Sequence, residues 1–267
     1  MMRHVGVLHA VSFAGLLCLA SVASAQPSAD QLLTELGFSS GEKQRVLGGE
    51  YVSSKLEAVS ERDLTFAVAF LVKTSPDAIA KEIMAGNLIT ADAQVKQYGK
   101  FAEPASLADL AELQVTAEEA SALLRAGPGD KVNLSAGELA GFKAEPSAAA
   151  QATRQQLQRT LLARYQAYRD SGLDGIAPYD RGDGRATDVA SDLRKATQAA
   201  KALQEHMPGF HAVLLGYPRA TLPGMEQQFF WTKSIIRGKP TYVLTHILVA
   251  SDGAARAVVR REYYVST

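Results

Sequence analysis

"FFWTKSIIRGKPTYVLTHILVASDGAARAVVRREYYVST", Phe229 to Thr267, decides the fold. Its β-branched and aromatic residues recur with a period of two, and "GK" and "SDG" interrupt them as short turns. Such a pattern predicts consecutive strands in an antiparallel meander. Upstream, "FHAVLLGY" from Phe210 reads as another strand, with "PRATLPG" as its turn, so four strands are expected. Phe230, Tyr242, Val249 and Val259 should then lie in neighbouring antiparallel strands. In the last strand Ala257, Val259, Arg261, Tyr263 and Val265 make a mostly apolar face that needs a cover, while Val258, Arg260, Glu262 and Tyr264 face water.

Helices precede the meander. Thr187 or Asp188 begins one that carries Val189, Leu193, Leu203 and Met207 and stops at Pro208-Gly209. Another spans about 147–170, with Leu157, Leu161, Tyr165 and Tyr168 at spacings of three and four and Gly172 just beyond. Thr116 and Glu119 form a capping box before a short helix closed by Gly127, Val132 to Leu134 suggests a brief strand, and Ser135 starts a helix. Nearer the start, Ser28 and Gln31 cap a first helix, and "GGEYVSSKLEAV" and "RDLTFAVAFLVKT" read as a hairpin turning at residues 60–62. Ser75, Pro76 and Asp77 then open a helix in the order N-cap, first turn, dipole-favoured acid. The expected fold class is α+β: one domain over 26–267, with a helical insertion at about 90–207 between two sheet segments.

The first 25 residues, "MMRHVGVLHAVSFAGLLCLASVASA", place Arg3 and His4 before an apolar run and end on Ala23-Ser24-Ala25. That is the layout of a secretory signal peptide, with cleavage expected after Ala25 and a periplasmic or secreted product. Polar residues interrupt the run, which disfavours a membrane span. Leu17 before Cys18 disfavours a lipid anchor on that cysteine. Cys18 is the only cysteine, so the mature chain has no disulfide, thiolate metal site or cysteine nucleophile. Stability must come from packing, for which about 240 residues suffice. The chain carries 28 basic and 28 acidic residues, so losing Arg3 leaves a net charge of −1. Nothing in that balance favours nucleic acid or an anionic membrane as a partner.

Catalytic signals are weak. His206 and His211 flank Met-Pro-Gly-Phe with no metal-ligand spacing, and His206 suits a helix C-terminus. Asp180, Asp183 and Asp188 in "PYDRGDGRATD" lack the spacing of a calcium loop and read as an acidic turn. No G-x-S-x-G elbow or phosphate-binding P-loop occurs, so no catalytic residue, metal or cofactor is assigned. The aromatic residues crowding the last forty positions have two readings, ordinary sheet core or the lining of an apolar cavity. On the second reading the ligand-lining candidates are Trp231, Tyr242, His246 and Tyr263.

"GGEYVSSKLEAVSERDLTFAVAFLVKTSPDAIAKEIM" resembles the opening of START-like, or helix-grip, domains, with Ser75, Pro76 and Asp77 at the helix start. The chain is also similar to uncharacterised exported bacterial proteins that share the "GDKVNLS" turn and a "REYYVST"-like strand. The helix-grip resemblance implies a curved meander around a long C-terminal helix, with an apolar ligand cavity between them. No such helix follows Tyr264, so either the sequence ends before the full domain, which is the expectation here, or helices 147–170 and 188–207 provide the cover. The function expected is non-enzymatic binding of an apolar small molecule or lipid, or an envelope role through protein contacts. The alternative is a hydrolase-type enzyme working through His211 or His246.

Overall fold

Arg237 and Gly238 take φ values of 50° and 77°. Two successive positive φ angles make the type I′ turn whose twist matches that of paired strands. They join strands over Glu226–Ile236 and Lys239–Asp252, and a third strand follows at Ala255–Ser266. The computed structural model describes residues 4–10, 13–17, 28–56, 66–129, 132–143, 150–252 and 255–266. The expected turn at 60–62 and the proposed cleavage point at Ala25 fall outside these.

In chain order, strands β1 (His4–Ala10) and β2 (Phe13–Leu17) precede helices α1 (Ala29–Glu35) and α2 (Ser40–Leu47). Strands β3 (Val52–Lys55) and β4 (Phe66–Val72) lead to α3 (Pro76–Ala85), α4 (Asn87–Thr90) and strand β5 (Val95–Lys100). After a 3-10 turn at Leu107–Leu110 come α5 (Ala117–Arg125), α6 (Ala136–Lys143) and α7 (Ala150–Ser171). The two-residue strands β6 (Tyr179–Asp180) and β7 (Ala186–Thr187) form a small hairpin. Helices α8 (Val189–Gln198), α9 (Lys201–His206) and α10 (Pro208–Gly216) precede the three long strands, now β8, β9 and β10. The fold is α+β, an antiparallel sheet packed with helices and not closed into a barrel.

Local chemistry accounts for most of these starts. Ser28 and Gln31 exchange capping-box hydrogen bonds at α1, as do Thr116 and Glu119 at α5. The Ser75 hydroxyl accepts from the Ala78 amide at the head of α3. Two expectations are corrected. "FHAVLLGY" is helix α10, because Pro208 sits at its first turn, where a fixed φ favours helix, and Phe210, Val213, Leu214 and Tyr217 are buried at helical spacing. Val132 to Leu134 forms no strand; its carbonyls instead accept from Arg164, Arg181 and Asp180. The helix read over 188–207 is divided at Ala199-Ala200 into α8 and α9.

The chain forms two compact units. One contains residues 1–85, 194–227 and 247–261, and the other residues 86–193, 228–246 and 262–267. The helical stretch 90–207 is therefore shared between them.

In the first unit the strand order is β3-β4-β1-β2-β10, antiparallel throughout. Leu33, Phe38, Val46 and Val52 of its core pack with Ala67 and Ala69 of β4. Arg261 points inward from β10, fully buried, and its Nη2 donates to the Leu214 carbonyl of α10 and to Thr197 Oγ1 of α8. In the second unit β5 pairs with β8 and sets Gly99 opposite Trp231. A Cβ on Gly99 would lie 2.5 Å from Trp231 Nε1, so only glycine lets the indole lie flat over that strand. Helix α7, 22 residues long, buries Leu157, Leu161, Tyr165 and Tyr168 along one stripe against β8, β9 and the end of β10. The inward face of β10 is thus covered by α8 and α10 in one unit and by α7 in the other.

Candidate functional site

Arg164 interrupts the apolar stripe of α7, three residues after Leu161 and four before Tyr168, and is buried. A buried cation needs a partner in good geometry. Glu138, at the third position of α6, supplies it: Nε donates to Oε1 at 2.6 Å and Nη2 to Oε2 at 2.8 Å. The same carboxylate accepts from the Ser135 amide at 2.7 Å, so the group that caps α6 also holds α7 against it. Nη2 donates again, to the Asn133 carbonyl at 2.6 Å. Nη1 has no hydrogen-bond partner.

Burial pushes the Glu138 carboxyl up, but the hydrogen bonds and charge of Arg164, with the bonds from Ser135, outweigh it and leave the carboxyl below its ordinary value. Burial likewise works against the Arg164 cation, and Glu138 more than restores it. The pair is ionised. The Arg164 guanidinium lies 5.4 Å from the Tyr179 ring centroid, and Arg181 lies 5.5 Å from the same ring. The Tyr264 backbone offers a hydrogen bond to the buried Tyr179 hydroxyl. Tyr263 donates its hydroxyl to the Arg164 carbonyl at 3.0 Å. Burial raises both phenols, that of Tyr263 well above its ordinary value.

Glu138, Arg164, Tyr179 and Tyr263 help to wall a cavity of about 280 Å³. The remaining lining is small and largely apolar, including Ala163, Ala167, Gly175, Ile176 and Ala177. Gly175 is required by packing: a Cβ there would lie 2.0 Å from the Ala167 carbonyl oxygen.

Of the residues singled out in the sequence, Tyr263 lines this cavity. Trp231 is buried elsewhere in the same unit and donates Nε1–H to the Asp109 carbonyl at 2.7 Å. Tyr242 is buried beside Lys233, whose ammonium lies 5.9 Å from the ring and 2.7 Å from the Glu119 carboxylate. His246 is stacked on Phe229 and hydrogen-bonded to Tyr168. In the first unit His211 Nε2 meets the Thr197 carbonyl at 2.9 Å. His206 Nε2 lies 2.6 Å from Glu35 and, with Glu205, forms a group whose ligand atoms fall within 4.8 Å of one another. The acidic turn is used locally: Asp180 accepts from the Gly182 amide and Asp188 from the Ser191 amide.

The sequence reading missed Glu138 and Arg164, although both left a signal. Ser135 and Glu138 have capping-box spacing, and a charge in phase with an apolar stripe marks a buried ion pair. No protein-family model matches the chain, and no curated protein or solved structure shows significant similarity to it.

Proposed function

We propose that the chain is exported by its N-terminal leader and that its second unit binds a small, mostly apolar molecule in the cavity beside α7. The carrying observation is the wall itself: small apolar groups and two aromatic rings around about 280 Å³, with few polar atoms in reach. Ligand sites combine apolar walls with a few fixed polar groups, at volumes of roughly 300–1,000 Å³. The cavity stands just below that range, which favours a compact ligand over a two-chain lipid. A binding role is favoured over a hydrolytic one because the two histidines considered for catalysis, His211 and His246, are both buried and neither lines the cavity. No helix among the described residues is long and apolar enough to cross a membrane.

Native mass spectrometry of the protein purified from the envelope or medium tests both parts. The expected chain begins at Gln26 and carries a co-purifying small molecule that the cavity-filling variant Ala167→Leu lacks. Equal loading of the two proteins would remove the cavity from the argument. A retained leader would remove export.

A further inference from the structure

We propose that Glu35, Glu205 and His206, in the first unit, hold a first-row divalent cation of the zinc class. The site shares no residue with the cavity of the second unit and is independent of the role assigned to it.

Glu35 closes α1 and His206 closes α9, with Glu205 just before it. Apolar packing fixes the two helices: Leu32, Leu33 and Leu36 belong to the core cluster against which Ala202 of α9 packs. Each of the three side chains offers one ligand atom, and these atoms all lie within 4.8 Å of one another. His206 Nε2 is 2.6 Å from the Glu35 carboxylate. Ligand atoms around a tetrahedral zinc stand about 3.4 Å apart, from bonds of roughly 2.0–2.2 Å. Small side-chain adjustments therefore suffice to close the three around one ion. Glu35 and His206 are 171 positions apart, which is why no ligand spacing marks the site in the sequence.

Electrostatics makes a second argument. Carboxylates are disfavoured at helix C-termini, where the dipole already concentrates negative potential. Here two of them meet at two such ends. The last turn of α1 has no basic residue, and that of α9 has only His206. Among the described residues neither carboxylate is paired with a lysine or arginine. A divalent cation cancels both charges. The imidazole beside them selects zinc and its neighbours over calcium and magnesium, which take oxygen ligands. Three protein ligands leave a fourth position to water, and with both carboxylates exposed the ion is exchangeable.

Titration calorimetry of the untagged, metal-stripped protein with zinc chloride should show one site. Zinc should also raise the melting temperature by several degrees, because it binds the folded state. Calcium and magnesium chloride should do neither. Glu205→Gln keeps the side chain's shape and breaks no ion pair, so metal-free melting should stay the same or rise. Its zinc affinity should fall at least about tenfold, the least that changes even behind the ligands cost a metal site. Equal zinc affinity in wild type and Glu205→Gln would place the ion elsewhere and overturn the site. Equal responses to calcium and zinc would overturn the ion class. Neither heat nor a melting shift with zinc would reduce the group to a contact between His206 and Glu35.

Discussion

Phe229 and His246, on adjacent strands, stack face to face with ring centroids 4.0 Å apart and planes 5° from parallel. Tyr168 approaches His246 from α7, its hydroxyl 3.1 Å from Nδ1, and so ties helix to sheet at a buried point. Tyr168→Phe keeps the ring and deletes the hydroxyl, removing this hydrogen bond to the buried imidazole. The expected loss is about 0.5–1.5 kcal/mol, read as a lower urea midpoint at unchanged slope. The double variant Tyr168→Phe/His246→Phe should lose less than the two single changes combined. Strict additivity would show that the hydrogen bond contributes nothing.

The Glu138–Arg164 pair makes stability sensitive to acid. Glu138 is held below its ordinary value in the folded protein, so its contribution is present above the unfolded pKa of about 4.3 and is lost as pH falls through the folded value. Urea midpoints of wild type and Glu138→Gln should differ most at neutral pH and converge below about pH 4. A constant gap down to pH 2 would mean that the carboxylate charge plays no part.

Alkali should act through the phenols. Burial raises Tyr179, Tyr242 and Tyr263 in the folded protein. Their neutral forms therefore stabilise the fold below the unfolded pKa of about 10, and that contribution falls as pH rises beyond it. Phenolate absorbance at these three positions should appear together with loss of the near-ultraviolet dichroism. Tyr263→Phe should delay alkaline unfolding. Ionisation of all nine tyrosines before any loss of structure would refute the assignment.

Two glycines on the cavity wall should respond in opposite directions. Gly175→Ala would drive a methyl against the fixed backbone of Ala167, a clash no rotamer can relieve, at about 1–3 kcal/mol or more. Gly137, in the first turn of α6, has open space around its missing Cβ. Gly137→Ala should raise stability by up to about 1 kcal/mol through helix propensity. Thermal melts of the two variants settle both expectations.

Much of this architecture was legible because it rests on local rules. Ser28, Ser75 and Thr116 announce helices through the amides they satisfy, and the alternation from Ala257 to Val265 foretold the buried face of β10 down to Tyr263. Helix α10 was misread because eight residues, mostly apolar, fit either period. Pro208, read as a stop, was a start. Strand β5 escaped notice since it alternates half-buried with exposed positions at the edge of the sheet and has little apolar content. The cavity was the least legible feature. Its key contact, Arg164 with Glu138, joins residues 26 apart whose meeting depends on how α6 crosses α7.

Strands β1 and β2 lie between β4 and β10, and their number is even. Following the ladders across, Val68 aligns with Leu8, Leu16 and finally Val258, and Ala67 with His9, Gly15 and Val259. An even interval preserves parity, so β4 and β10 run in opposite senses with their pleats in phase. Closing the interval takes a slide of about 9.6 Å, two strand spacings, and turns neither face outward. If the first 25 residues are removed as proposed, a Val68→Cys/Val258→Cys chain should cross-link after cleavage and stay reduced while β1 and β2 lie between the two strands. Cross-linking in the uncleaved chain would show that the leader never occupied the interval.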